Sequence, residues 1–431
     1  MTNAIELCDG KYLYLSDYNR VINAETKELF LENRHNQTIA IEDIDITEEF
    51  LRRKLLDLPL TIFEVTENCN LRCKYCVFSD NYQHYRELTP QEMTFETASK
   101  GIDYIYSIIK NRSNKTFNFG FYGGEPLLNL TLIGDIIRYA ETAFEGWKLL
   151  YNLTSNLTVM DDSIIDFLAD NDISLSVSLD GDEANHDAKR VFANGTGTHA
   201  TVMGNLKRIS DRRPDYFEEK VSFSAVHSFD LPLENLMEFA QTNELVQRKA
   251  MRFNNVTTYG TDYYKLYPFD IEQKYAAFDQ THDNIADKKR NGIPLTAVEE
   301  FLHTQITTAT DFLKQRTLST LAQNCLFDSR LFIDTKGRFH ACEKMNTSMA
   351  AGDVENGLDF GKMVDLLKAF QKIIKEYCLD CEIKFMCGRC FKPLAANGAF
   401  KIPDNYCKYQ KQGNIRNLER NIRYREEGLI G

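Results

Sequence analysis

Proline and glycine are scarce in this chain: 9 and 22 among 431 residues, while 43% of the residues are hydrophobic. That balance excludes a collagen-like or largely disordered protein. No stretch reaches the roughly 18 to 20 apolar residues that a membrane helix needs. The opening MTNAIELCDGKYLYLSDYNR has neither a basic start nor an apolar core, so it does not read as a secretion signal. Positive charge is also short, with 51 Lys and Arg against 63 Asp and Glu, a net of −12. The deficit argues against general nucleic-acid or anionic-membrane binding. A cytoplasmic protein of two or three domains is the expectation.

Cysteine is what the chain has in quantity. Cys8 stands alone, Cys69, Cys73 and Cys76 form one group, and seven more lie between Cys325 and Cys407. A reducing cytosol disfavours a disulfide framework, so clustered thiols point to metal. Cys8 reads as an ordinary semi-buried thiol.

Alternating residues over 1–57, ending in the helical ITEEFLRRKLLD, predict a small β-hairpin and helix extension. From 58 to 257 the pattern becomes apolar strand, polar loop, amphipathic helix. Strands are expected at 61–65, 117–122, 149–154, 173–179, 221–226 and 251–256. Six β/α units imply an α/β fold on a parallel sheet, open or closing into a partial barrel. A helical bridge over 258–320 and a cysteine-rich domain with a terminal helix over 321–431 complete the expected organisation.

Three thiols in Cys69-Asn-Leu-Arg-Cys73-Lys-Tyr-Cys76 cannot finish a tetrahedral zinc site without a distant fourth ligand. They can hold three irons of a 4Fe–4S cube and leave the fourth iron open. After the second strand stands Gly123-Gly124-Glu125-Pro126, after the third Thr154-Ser155-Asn156, and the fourth ends Ser178-Leu179-Asp180-Gly181, followed by Arg190. Each group follows a strand, where β/α barrels gather their chemistry. This order of motifs resembles the radical S-adenosylmethionine (radical SAM) superfamily over nearly the whole chain. The resemblance implies a partial (β/α)6 TIM-like barrel and a cluster on Cys69, Cys73 and Cys76. It also implies SAM contacts from Tyr75, Gly123, Gly124, Glu125, Pro126, Ser155, Asn156, Ser178, Asp180 and Arg190. A guanidinium fork at Arg190 suits the SAM carboxylate.

The tail resembles the seven-cysteine SPASM extension of these enzymes, which binds two auxiliary 4Fe–4S clusters; paired zinc ribbons are the competing expectation. By that resemblance Cys378, Cys381, Cys387 and Cys407 hold the outer cluster, and Cys325, Cys342 and Cys390 the inner one. The family spacing has three residues before the fourth cysteine of the dense run, whereas here only Gly388 and Arg389 intervene. The inner cluster is left with an iron open to Asp328, to water or to a substrate thiolate. Glu343 follows Cys342 where sulfatase-maturing relatives carry a catalytic aspartate, which makes it a candidate base.

The implied function is that of a peptide maturase. A 5′-deoxyadenosyl radical abstracts a substrate hydrogen, and an intramolecular crosslink forms in a ribosomally made precursor peptide. A thioether is favoured, with carbon–carbon and carbon–oxygen bonds as the other products. The alternatives are an anaerobic sulfatase maturase forming formylglycine and a non-catalytic iron–sulfur or zinc module. Expected partners are the precursor peptide, an external reductant such as flavodoxin or ferredoxin, and a separate leader-binding protein. Tyr82, His84 and Tyr85 are candidates for lining a peptide groove, with packing as the ordinary role. Trp147 is expected on a helix face, and the basic stretch 408–425 on a solvated one.

Overall fold

The computed structural model describes residues 4–31, 39–79, 81–82, 86–315, 317–321, 327–345, 347–396 and 398–430. Alternating residues build an antiparallel meander of β1 (Ala4–Leu7), β2 (Tyr12–Leu15), β3 (Arg20–Asn23) and β4 (Leu29–Leu31). Its buried Tyr12, Tyr14 and Val21 share a core with Phe312, Ile383, Leu418 and Ile422 from the far end of the chain. After β5 (Ala40–Glu42) comes α1 (Glu48–Leu55), which starts where the Thr47 hydroxyl accepts the Phe50 N–H at 3.1 Å.

The β/α repeat then runs as expected: β6 (Leu60–Thr66), α2 (Phe95–Ile109), β7 (Thr116–Gly123), α3 (Leu130–Ala143), β8 (Lys148–Ser155), α4 (Asp162–Asp170) and β9 (Ser174–Ser178). Three helices, α5 (Glu183–Lys189), α6 (His199–Arg212) and α7 (Pro214–Lys220), lead to β10 (Val221–His227). Helix α8 (Leu233–Thr242) then leads to β11 (Met251–Asn255). All six strands pair in consecutive order and in parallel. Side-chain alternation explains the layering. Phe119, Phe121, Leu175, Val177, Phe223 and Phe253 are buried in the main core, which they share with the helices. The opposite face carries Asn152, Thr154, Ser176, Ser178, Ser222 and Ser224, half-buried, with Arg252 and Asn254 exposed. That polar face is the one turned away from the core shared with the helices.

Beyond β11 lie α9 (Tyr263–Leu266), α10 (Ile271–Arg290) and α11 (Ala297–Thr307). Strand β12 (Thr317–Ser319) pairs in parallel with β5. The central sheet is larger than six strands, because β13 (Leu331–Ile333) adds in parallel to β6 and β14 (Phe339–His340) adds antiparallel to β13. Helices α12 (Phe360–Ile373), α13 (Phe391–Leu394) and α14 (Tyr406–Glu426) follow.

Two expectations are corrected. Trp147 lies in the turn between α3 and β8, packed edge-on against Phe144 with the Arg112 guanidinium 5.0 Å over its ring. Helix α14 is not a free basic surface: Leu418, Ile422 and Tyr424 are buried. Its Arg416 and Arg420 pair with Asp279, and its Arg423 with Asp283 at 2.7 Å, so α10 supplies the counter-charges.

Candidate SAM and iron–sulfur site

The loop after β6 carries Cys69, Cys73 and Cys76. It is zipped to the segment after α5: Arg72 N–H donates to Val191 O at 2.8 Å and Lys74 N–H to Lys189 O at 2.9 Å, while Ala193 N–H returns to Asn70 O at 3.2 Å. Arg190 is therefore delivered beside the thiols by backbone pairing. Backbone N–H groups of Leu71 and Phe78 point at the Cys69 and Cys76 sulfurs, at 3.4 and 3.5 Å. Burial pushes the Cys69 thiol up to about 11 and the Cys76 thiol up to about 12, and Cys73 is raised for the same reason. Cys73 adds to the rise at both Cys69 and Cys76, Cys69 adds to that at Cys76, and Arg190 opposes the shift at all three. Such thiols ionise when a metal takes the place of the proton.

Gly123 and Gly124 exist for a close approach. Any Cβ on Gly123 would sit 2.1 Å from Thr66 O, and one on Gly124 2.2 Å from Asn68 O. Backbone bonds Gly124 N–H to Thr66 O (3.0 Å) and Glu125 N–H to Asn68 O (2.9 Å) use that approach to press the loop after β7 against the cysteine loop. Glu125 is buried and accepts from the Ser155 hydroxyl (2.8 Å), Leu127 N–H (3.1 Å) and Asn156 N–H (2.7 Å). Burial raises its carboxyl, and those three donors oppose the rise. Pro126 is buried in the short turn that follows. The Asn156 amide reaches Asn70 Oδ1 at 3.0 Å, joining the loop after β8 to the cysteine loop.

A second chain of bonds crosses the site. Arg190 Nη1 donates to the Tyr75 hydroxyl at 2.8 Å, and that hydroxyl donates to Asp180, whose other oxygen accepts Val226 N–H at 2.9 Å. Arg190 is buried rather than solvated, and its Nε has no hydrogen-bond partner among the described residues. Ser178 sits half-buried on the polar face of the sheet, beside Ser224 of β10. Behind this chain, Asp180 N–H donates to His186 Nδ1 (3.3 Å), His186 Nε2 faces the Thr198 hydroxyl (2.9 Å), and Thr198 donates to Arg190 O (3.1 Å). Burial lowers His186 to about 2, so the imidazole is neutral and holds the Arg190 backbone in place. Sequence reasoning missed His186 and Thr198 as scaffold, although His186 stands four residues before Arg190.

The tail carries a second set of cysteines. Cys378, Cys381, Cys387 and Cys407 act on one another electrostatically, and burial raises the Cys378 thiol to about 12. Cys387 accepts from the Arg389 N–H and the Tyr406 hydroxyl. Cys342, after β14, faces Glu343, and the half-buried Tyr122 feels Glu343, Cys76 and Cys342 alike. Cys390 is exposed, and Cys325, His84 and Tyr85 lie outside the described residues. Tyr82 is buried, so it packs rather than lining a groove. Glu343 meets Arg330 with both oxygens at 3.2 Å. Burial would raise its carboxyl, but Arg330 and Lys344 hold it below the usual range. Asp328 is near Lys54, at 3.7 Å.

Among the described residues, no three His, Cys, Asp or Glu side chains stand at single-ion distances. A cubane instead sets each thiolate on a different iron. Three coupled thiols, two glycines without room for a Cβ and a buried guanidinium with an unmet donor fit a 4Fe–4S cluster carrying SAM.

Comparison with known proteins agrees. Residues 63–241 match the model of the Radical SAM superfamily. The chain carries a radical SAM domain, which implies SAM and a 4Fe–4S cluster. It is 27% identical over 164 residues to a cysteine-type anaerobic sulfatase-maturating enzyme of Clostridium novyi, covering 37% of this chain and 42% of that relative's length. The fold matches native anSMEcpe with bound AdoMet (TM-score 0.63, 17% identity, 86% of this chain and 99% of that one). It also matches Streptococcus suis SuiB bound to precursor peptide SuiA (TM-score 0.51, 15% identity, 84% of this chain and 78% of that one). Among the described residues no helix is long and apolar enough to cross a membrane.

Proposed function

We propose that this protein is a radical SAM enzyme that modifies a ribosomally made precursor peptide by installing an intramolecular crosslink, a thioether first among the candidates. Cys69, Cys73 and Cys76 would hold the SAM-binding cluster. Cys378, Cys381, Cys387 and Cys407 would hold an outer auxiliary cluster, and Cys342 and Cys390 would join Cys325 around an inner one. Bound together, the first cluster and SAM supply a 5′-deoxyadenosyl radical. The chain's own work is to bind, orient and exclude water. Arg190 offers its free Nε–H toward the SAM carboxylate, with Tyr75 and Asp180 holding the guanidinium. Glu125 keeps the loops after β7 and β8 together around the cysteine loop. The polar face of the sheet, with Ser176, Ser222, Ser224 and exposed Arg252, would give a peptide hydrogen-bonding groups. The SuiB structure, solved with a precursor peptide, supports a peptide as substrate.

The observation that carries the reading is the convergence of the three thiols with Arg190, Tyr75, Asp180 and Glu125 at the ends of β6 to β9. A second reading, an anaerobic sulfatase maturase, is favoured by the similarity to the Clostridium novyi enzyme. Against it, Glu343 is tied through both oxygens to Arg330 and held ionised at low basicity, a poor state for a general base. A flavodoxin or ferredoxin would serve as reductant. The test is anaerobic turnover with SAM, reductant and the precursor peptide encoded nearest the gene. A crosslink reading expects loss of two hydrogens, a linked fragment pair in tandem mass spectrometry and fewer alkylatable thiols. A product that instead reacts with a hydrazide carbonyl probe establishes formylglycine.

A further inference from the structure

The shortened link between Cys387 and Cys390 has a visible consequence. Arg389 adopts a left-handed backbone (φ 45°), a conformation that residues with a Cβ seldom take. Its side chain turns inward, and the residue is 2% exposed. Nη1 donates to the Ser319 carbonyl at 2.8 Å, on β12. Nε and Nη2 are buried with no hydrogen-bond partner among the described residues. The groups that act on this guanidinium are the Cys378 and Cys387 thiols. Buried donors nearly always have acceptors, so two unmet N–H groups on a guanidinium that these cysteines act on call for an acceptor there, and sulfur is the one the cysteines bring.

We propose that Arg389 donates Nε–H and Nη2–H to the sulfurs of a 4Fe–4S cluster held by Cys378, Cys381, Cys387 and Cys407, and thereby raises the reduction potential of that cluster. The inference rests on the auxiliary-cluster reading given above. Reduction adds negative charge to a cluster. A buried guanidinium stabilises the added charge, and hydrogen bonds to thiolate or sulfide do the same. The Tyr406 hydroxyl and the Arg389 N–H, both on Cys387, act in the same direction. Cys407 is exposed, which places this centre where a soluble electron carrier can reach it. The strained, two-residue spacing is then a functional device: it drives a guanidinium into the ligand shell.

The test uses the full chain, reconstituted anaerobically, with Cys69, Cys73 and Cys76 replaced by Ala so that only the tail reports. The outer signal is the electron paramagnetic resonance signal lost on adding Cys378→Ala and Cys381→Ala. Redox titration of Arg389→Ala is expected to shift this midpoint to more negative potential. At the unsubstituted midpoint, the reduced-to-oxidised ratio should fall at least tenfold, about 59 mV for one electron. Iron content should stay unchanged, and Arg389→Lys should recover part of the shift. An unmoved midpoint with full iron overturns the proposal. Loss of about four irons in both Arg389 variants makes the residue a structural prop and overturns it too. Zinc in the tail, or no signal lost with Cys378 and Cys381, overturns the auxiliary-cluster reading itself and is seen by metal analysis before any titration.

Discussion

Arg190 shows what a single side chain must satisfy at this site. It is buried beside three thiols, bonds Tyr75 across 115 residues of sequence and through it Asp180, and keeps one donor unspent. Replacing it by Ala removes a charge-assisted pair to a carboxylate, worth about 1.5 to 3 kcal/mol. SAM affinity measured by equilibrium dialysis should therefore fall about 10- to 150-fold while iron content holds. Unchanged affinity would return Arg190 to a structural role. Tyr75→Phe keeps the ring and loses only the bridging hydroxyl, so its effect on SAM affinity should be smaller than that of Arg190→Ala. The cysteines were legible in the sequence because their ligand spacing is local. The Tyr75 bridge was not, because it joins residues from two distant loops, and the motifs at its ends do not say that they meet.

At the level of elements, the cysteine loop is shaped by what is pressed against it. Gly124 touches the Asn68 carbonyl so closely that a Cβ would lie 2.2 Å from it, and backbone cannot step aside as a flexible side chain can. Gly124→Ala is expected to displace the loop bearing Cys69 and to cost about 1 to 3 kcal/mol. Iron should drop by about four per chain with the far-ultraviolet circular dichroism unchanged. The two cysteine groups sit on separate elements, so they should fail separately. Replacing Cys69, Cys73 and Cys76 together by Ala should remove about four of about twelve irons and abolish SAM cleavage. Iron analysis giving about four in the unsubstituted protein would defeat the three-cluster count. The strands themselves were legible, since alternation such as FNFGFY and VSFSAV sorts side chains between two faces. The addition of β13 to β6 was not, because three residues, Leu331 to Ile333, carry too short a pattern to show a partner.

For the molecule as a whole, buried imidazoles link stability to pH. Burial lowers His227 to about 4 and His282 to about 3, with Lys274 and Arg420 adding to the effect. The folded state thus binds fewer protons than the unfolded chain below the ordinary histidine value near 6.5, and stability must rise with pH through that window. Going from pH 6.5 to 5, each of these two should cost about 2 kcal/mol, at about 1.36 per unit. Urea unfolding is expected to show this fall, and His282→Gln to flatten it by about its own share. A slope that His282→Gln leaves untouched would remove His282 from the account. The helix α14 belongs to this scale as well. Its six basic residues over 408–425 suggested a solvated face, yet Asp279 and Asp283 of α10 answer three of them while Leu418 and Ile422 seal the N-terminal meander.

By itself the sequence determined the β/α repeat, the order of motifs after each strand and the two groups of cysteines. Those are properties of neighbours in the chain, set by side-chain period and ligand spacing. Only the tertiary structure decided that Gly123 and Gly124 serve the contact with β6, that Glu343 is held by Arg330, and that Arg389 is buried with donors to spare. Each of these depends on which distant carbonyl, carboxylate or sulfur arrives opposite the residue. That meeting is a matter of packing and desolvation, and no local pattern encodes it.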